Sequence, residues 1–202
     1  MDKTVAEMEV PEEIAPLLAA YGEGGLDADP NAPQGIFATS VEAASPDAIS
    51  DLVREGVLVM PISQGTNFLR VTVNQDTTPF GDSEMKLLRP LAEQITWLDL
   101  RYATPDDYSV LKELTNLTEL HLEKSPIEDE DLENLAGLSK LEYLNLYGTE
   151  VSNEGVKHLT GLTNLRSLYL WQSKVDSTGW QELTTAIPGV EVNLGWPMQS
   201  AK

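Results

Sequence analysis

Between residues 95 and 170 the chain repeats one short pattern of apolar and polar positions. The segments "ITWLDL", "LTELHL", "LEYLNL" and "LRSLYL" begin at Ile95, Leu117, Leu141 and Leu165, so the spacings are 22, 24 and 24 residues. Each has apolar residues at steps one, four and six, and the apolar-polar-apolar alternation over the last three steps is that of a half-buried strand. A small residue follows each segment, then a short polar stretch, then apolar residues at helical spacing. Ile127, Leu132 and Leu135 form one such stripe; Val151, Val156, Leu159 and Leu162 form the next; Val175, Trp180 and Leu183 form the last. Ser152 and Asn153 are the candidate N-caps ahead of the middle stripe.

Two less regular units extend the series. "FLRVTV" at Phe68 feeds "GDSEMKLLRPLAEQ", and "VEVNL" places Val192 and Leu194 24 residues after Leu168 and Leu170. A strand-plus-helix unit recurring at this period resembles the leucine-rich repeat pattern, in which each unit is one coil of a solenoid. The resemblance spans residues 68 to 194 and implies an α/β fold: a right-handed solenoid with a short parallel β-sheet on the concave face and helices on the convex face. At step nine, the usual Asn or Cys is replaced by Asp76, Ala103, Ser125, Thr149 and Ser173. Hydroxyls there can still bond the turn backbone, more weakly than an amide ladder. The second unit is two residues short and has Pro105 where the others have Ile127, Val151 or Val175, which predicts a shorter helix.

Upstream, "SPDAISDLVREG" reads as a helix with Ser45 at the N-cap, Pro46 at the first helical position and Gly56 just past the end. "VLVMPI" then reads as a strand, and the two together are expected to cover the open N-terminal end of the stack. Trp196 and Pro197 are candidates to cover the other end. The expected division is an acidic, Pro/Gly-rich arm or linker over 1–44, an N-terminal cap over 45–67, and repeats with a C-terminal cap over 68–202. Within the arm, only Ile14, Leu17, Leu18 and Tyr21 lie at helical spacing, as one short helix.

Strand alternation assigns the side chains to faces. With Leu98, Leu100, Leu120, Leu122, Leu144, Leu146, Leu168 and Leu170 pointing inward, the outward face carries five triplets. These are Arg70, Thr72 and Asn74; Trp97, Asp99 and Arg101; Glu119, His121 and Glu123; Tyr143, Asn145 and Tyr147; and Ser167, Tyr169 and Trp171. Stacked coils bring equal steps to about 5 Å, so Tyr143, Tyr147, Tyr169 and Trp171 are expected to form one aromatic patch beside a charged zone. Exposed Tyr and Trp are enriched at binding hot spots. The same residues also suit strands and cross-strand pairs, which leaves a purely rigidifying role open. As a binding face, its anchors would be Tyr143, Tyr147, Tyr169 and Trp171, oriented by Trp97, Arg101, Glu119 and His121, with Asn145 as a further polar contact.

Charge narrows the partners. Lys+Arg number 13 against Asp+Glu 33, a net charge of -20, which opposes phosphate backbones and anionic lipid. A salty habitat is an alternative source of the acidity. The chain has no cysteine, which removes disulfides, thiolate metal sites and a thiol nucleophile. No apolar run reaches the roughly 18 residues of a membrane span, and "MDKTVAEMEV" lacks the basic and apolar regions of a signal peptide.

His121 and His158 fall on different faces of the coil, so they cannot share a metal. "DADPNAPQG" starts like a calcium loop, but Ala32 and Ala38 stand where glycine and glutamate are required. "EDEDLE" over 128–133 reads as a negative helix entrance. No catalytic or phosphate-binding motif is present. The expectation is a non-catalytic chain with no cofactor and no metal.

A closer resemblance rests on "GVLVMPISQGTNFLRV", "LTELHLEKSPI", "LEYLNLYGTEV" and "LRSLYLWQSKV", preceded by "DKTVAEMEVPEEIAPLLAAYG". This run is similar to the leucine-rich C-terminal region of bacterial membrane proteins that carry a planctomycete-type cytochrome c domain. The resemblance implies a periplasmic or extracellular setting and a haem domain upstream in a longer parent chain. The C-x-x-C-H haem-attachment site is absent here, so no redox role carries over. The expected function, read from the aromatic outward face, is a protein-interaction module, the partner being another protein or the parent chain's haem domain. The alternatives are a carbohydrate-binding module, taking glycan on the aromatic face, and a structural spacer.

Overall fold

A computed structural model describes residues 41–73 and 80–195. The stripe at Ile14 to Tyr21, the "DADPNAPQG" segment, Asn74, Asp76, Trp196 and Pro197 lie outside the described residues. Helix α1 (Pro46–Arg54) leads into β1 (Val57–Pro61), which turns back onto β2 (Leu69–Val73). Then come α2 (Asp82–Leu87) with a 3₁₀ turn at Arg89–Leu91, β3 (Ile95–Asp99), and a 3₁₀ turn at Ser109–Glu113. They are followed by β4 (Glu119–His121), a 3₁₀ turn at Glu130–Leu135, β5 (Tyr143–Asn145), and α3 (Asn153–Val156) running into a 3₁₀ turn at Lys157–Leu159. The last elements are β6 (Ser167–Tyr169), α4 (Ser177–Ala186) and β7 (Glu191–Asn193).

The seven strands form one sheet in sequence order, β1 antiparallel to β2 and every later pair parallel. Register follows the repeat: Leu98, Leu120, Leu144, Leu168 and Val192 stand side by side. Each strand after β3 has three residues, too few to stand alone. The pairing continues beyond the strands, however. Leu100 N–H donates to His121 O at 2.9 Å, Tyr102 N–H to Glu123 O at 2.9 Å, Lys124 N–H to Tyr147 O at 2.9 Å and Gly148 N–H to Trp171 O at 2.8 Å. This strand-and-turn stacking makes an α/β solenoid, the arrangement that the leucine-rich repeat resemblance implies.

The inward leucines of the four regular units are all at most 1% exposed and belong to one continuous core. The second unit fills its core with Tyr108, which takes the place that Leu132 and Val156 hold in the next two coils. Burial pushes the Tyr108 phenol up to about 12. The connecting stretches are less helical than the apolar stripes suggest. Those of the second and third units are 3₁₀ turns, the second the shorter, and only the last unit has a ten-residue α-helix. A 3₁₀ turn rises about 2.0 Å per residue against about 1.5 Å in an α-helix, so it crosses the back of a coil with fewer residues.

Capping differs in detail from expectation. Ser45 stands at the N-cap of α1, but its hydroxyl makes no capping bond. Ser152 rather than Asn153 caps α3, accepting from Glu154 N–H at 3.2 Å. Asn153 instead reaches the next coil, where its amide nitrogen donates to Asp176 Oδ1 at 2.8 Å and its Oδ1 accepts from Asp176 N–H at 3.1 Å. Asp129 does the same one coil earlier, accepting from Ser152 N–H and Ser152 Oγ, both at 2.6 Å. Those bonds hold its carboxyl below the usual range against the opposing effect of burial. Asp82 accepts from Asp106 and Asp107 N–H at 2.8 and 3.0 Å. The step-nine hydroxyls stay within their own coils: Ser125, Thr149 and Ser173 donate to Leu122 O, Leu146 O and Leu170 O at 2.7, 2.8 and 2.7 Å.

Gly155 makes the Asp129 clamp possible. A Cβ there would collide with the Asp129 carboxylate and stand 2.9 Å from its Cα, which is backbone and cannot swing away. Leu144→Ala is expected to lower stability by about 2 to 5 kcal/mol, through lost burial and a residual cavity. Gly155→Ala, which forces the two coils apart, is expected to cost about 1 to 3 kcal/mol. Urea denaturation midpoints at unchanged slope measure both, and a parental midpoint for Leu144→Ala would contradict the register.

Candidate functional site

The outward face of the sheet carries a continuous row of stacked groups. The Arg70 guanidinium lies 3.6 Å from the Trp97 ring centroid. Trp97 and His121 rings are 5.0 Å apart, His121 and Tyr143 4.9 Å, and Tyr143 and Tyr169 5.4 Å, all tilted. These are favourable separations for tilted rings and for a cation over an aromatic face. The row zigzags, because step-three residues (Trp97, Tyr143) alternate with step-five residues (His121, Tyr169) from coil to coil.

Tyr147 and Trp171, at step seven, make a separate pair with centroids 5.2 Å apart, and Lys124 Nζ stands 4.5 Å over the Tyr147 ring. The four aromatics expected in one patch therefore fall into two stacks. Residues two steps apart along a strand are separated by nearly 7 Å, whereas adjacent coils are about 4.8 Å apart. Stacking thus runs across the strands and not along them.

The charged zone is locked by its own partners. Arg101 holds Asp99 with both fork nitrogens, Nε to Oδ1 at 2.9 Å and Nη2 to Oδ2 at 2.6 Å, and that bond raises its already high pKa. Asp99 was expected to be displayed on this face, but its side chain is 2% exposed beneath the arginine. Asp99 Oδ1 also accepts from Arg101 N–H at 3.1 Å, as Asn145 Oδ1 accepts from Tyr147 N–H at 3.0 Å, so step five also shapes the turn.

His121 sits between two carboxylates, Nε2 at 2.8 Å from Glu119 Oε1 and Nδ1 at 3.2 Å from Glu123 Oε1. A neutral imidazole has one N–H and would aim a lone pair at the other carboxylate; the imidazolium donates to both. Burial opposes that charge, but the bonds to Glu123 and Glu119 outweigh it and raise the His121 pKa. Glu123 Oε1 also accepts from Asn145 Nδ2 at 2.8 Å, while its Oε2 is buried without a hydrogen-bond partner. The structure thus brings His121, Glu119 and Glu123 together as expected and adds the ring row through His121.

Four residues on the rim were not legible as special. Tyr102, Lys124, Gly148 and Gln172 occupy the same step in successive coils, and all have φ between 58° and 67°. Glycine alone signals that conformation in a sequence, and it marks just one of the four. Gly148 also leaves a lane for Lys124, whose stem would lie 2.8 Å from any Cβ there and whose Nζ donates to Gln172 Oε1 at 3.0 Å. Leu58 on β1 pairs with Thr72 and so shares the outward face. Among the described residues, the exposed large apolar side chains are Leu58 (43%), Tyr102 (56%) and Trp171 (45%), on this face or the turns that edge it. No group of three or more His, Asp or Glu among the described residues could hold a metal ion.

No protein-family model and no curated protein matches the chain. Among solved structures it is similar to an internalin C2 of Listeria monocytogenes, at 25% identity over 64% of this chain, with a TM-score of 0.47. It is also similar to an internalin of the same organism, at 26% identity over 53% of this chain and 36% of that one, TM-score 0.38. A leucine-rich repeat protein of Leptospira interrogans shares 18% identity over 60% of this chain and 36% of that one, TM-score 0.42. The chain spans about half of the internalin C2 structure, 51%. At TM-scores below 0.5 these likenesses carry no functional weight, and the repeat assignment rests on strand register.

The clamped imidazolium has a pH signature. The folded pKa of His121 is raised above the ordinary value of about 6.5. Its contribution is therefore complete below the unfolded value and lost as pH rises through the folded one. The urea midpoint is expected to fall between pH 6 and pH 9, and His121→Gln is expected to remove that part of the decline. An NMR titration placing the His121 midpoint below 6.5 would contradict the arrangement.

Proposed function

We propose that this chain is a non-catalytic protein-interaction module of an extracytoplasmic bacterial protein, binding through the concave face of a right-handed solenoid. The hand is the one that parallel strand-crossover-strand connections take. The observation that carries the reading is the placement of Leu58, Tyr102 and Trp171. Inward apolar side chains elsewhere are buried, and these three exposed ones share one side of the molecule with both ring stacks. A face prearranged by bidentate bonds and stacked rings loses little side-chain freedom on binding, which favours affinity.

Tyr143, Tyr147, Tyr169 and Trp171 are proposed as anchors, with Trp97, Arg101, Glu119, His121 and Asn145 fixing orientation and Tyr102 added from the rim. Residues 45–67 would cap the N-terminal end, 1–44 would be an arm or linker, and 68–202 would hold the repeats and a C-terminal cap. The periplasmic or extracellular setting, and the parent chain's haem domain as partner, follow the cytochrome-protein resemblance. No helix among the described residues is long and apolar enough to cross a membrane. A glycan ligand is the second reading, favoured by the Tyr147–Trp171 stack beside the hydrogen-bonding amide of Gln172.

The test uses the isolated haem domain of the parent protein as first analyte and extracytoplasmic extract as second. Tyr102→Ser and Trp171→Ala are each expected to weaken capture of the same partner by about tenfold or more at unchanged melting temperature. Parental affinity in both variants would refute the face as the binding surface. Oligosaccharide quenching of tryptophan fluorescence that vanishes in Trp171→Ala would favour the glycan reading.

A further inference from the structure

The charge displayed on the N-terminal half of this face has the opposite sign to the chain's. Over β1 to β4 and the turns that follow β3 and β4, the outward groups are Arg70, Arg101, Lys124 and His121 against Asp99, Glu119 and Glu123. With His121 as imidazolium, four cations and three carboxylates leave +1, on a chain whose net charge is -20. Glu191 lies at the far end, on β7.

The two signs also differ in availability. Among the described residues, each of these three carboxylates is engaged by a group of the same chain: Asp99 by Arg101, Glu119 by His121, and Glu123 by His121 and Asn145. Asp99 and Glu123 are 2% and 14% exposed, and Glu119, at 36%, is the most open of the three. Arg70 and Lys124 are exposed, and they rest on neutral partners, Arg70 on the Trp97 ring and Lys124 on the Tyr147 ring and the Gln172 carboxamide. Elsewhere Arg54, Arg89, Lys157, Arg166 and Lys174 each have a carboxylate within 3.4 Å, while Lys86, Lys112 and Lys140 have none among the described residues and lie away from the ring stacks. A ring holds a cation in place without neutralising it, so the charge stays available to a partner. Leu58 and Tyr102, both exposed, lie in the same half. Carboxylates on the opposite side of the coil are screened beyond about 8 Å at physiological ionic strength.

Building on the interaction-module reading, we infer that this half of the face takes an acidic protein segment, its carboxylates on Arg70 and Lys124 and an apolar side chain against Leu58 or Tyr102. Leu58 favours a peptide over a carboxylated glycan, because an aliphatic side chain offers a sugar acid neither a stacking ring nor a hydrogen-bond partner.

The experiment measures fluorescence anisotropy of the whole chain with a labelled decapeptide of four glutamates and two leucines in a glycine-serine background. Matched glutamine and lysine peptides and a polygalacturonate oligomer complete the probe set. The glutamate peptide is expected to bind about fivefold or more tighter than the glutamine peptide and to weaken with added salt. The lysine peptide is expected to be weakest. Arg70→Gln and Lys124→Gln are each expected to reduce the glutamate preference by at least about half, while Lys157→Gln on the helical side leaves it unchanged. Neither of the first two variants strips a buried carboxylate of its partner, so neither change threatens the fold.

Tighter binding of the lysine peptide, tighter binding of polygalacturonate, or no saturable binding of the glutamate peptide overturns the acidic-segment inference. If a neutral or basic peptide binds and Tyr102→Ser abolishes it, the interaction face stands and the acidic specificity falls. Peptide binding that ignores both Tyr102→Ser and Trp171→Ala refutes the face and the specificity together.

Discussion

The backbone hydrogen-bond ladder between successive coils is the constraint on which the rest of this molecule depends. Strands of three residues have almost no stability of their own. What holds them is that each coil donates to its neighbour from inside the strand and again from the turn beyond it, as at Tyr102, Lys124 and Gly148. Because the ladder is parallel and unshifted from β3 onward, every step meets its equivalent in the next coil. The inward leucines then bury one another, and the outward side chains have no choice of neighbour coil.

Alignment of the helical side is kept by other bonds. Where an asparagine ladder would be usual at step nine, the hydroxyls of Ser125, Thr149 and Ser173 close three coils on themselves, and Ala103 leaves the second without one. Bridging between coils passes instead to Asp82, Asp129 and Asn153, which bond the backbone or side chains of the following coil. On the opposite flank, Asn116 and Asn164 donate to Glu93 O and Ser139 O of the preceding coil, each at 2.7 Å. Acidic residues that look like a mere surplus of surface charge are thus partly structural acceptors. The step from sequence to packing is visible at Gly155, which is small because a neighbouring aspartate needs the room.

On the outward face the same alignment turns separate side chains into a connected surface. Trp97, His121, Tyr143 and Tyr169 stack because the ladder holds their Cα atoms one coil apart. The imidazolium of His121 is held by rings on two sides and carboxylates at both nitrogens. Its charge therefore depends on the two carboxylates of its own coil, while rings from the coils on either side hold it in place. Such a face is ordered before any partner arrives, which is what a recognition surface requires.

The coil is legible in the residues alone. A period of 22 to 24 residues, with leucine at fixed steps, leaves one inward arrangement, and strand alternation then names the outward residues. The buried Leu98 to Leu170 series and the outward positions of Tyr143, Tyr147, Tyr169 and Trp171 follow from that alone. Only the tertiary structure decided which outward residues meet, since diagonal stacking across coils depends on side-chain direction and not on step number. It also decided that Asp99 lies covered, because its partner sits two residues away in the same turn. It decided the left-handed backbone at Tyr102, Lys124 and Gln172 as well. No residue type there asks for that conformation; it is the third position of a tight turn, closed where the N–H groups of Ala103, Ser125 and Ser173 reach Leu100 O, Leu122 O and Leu170 O.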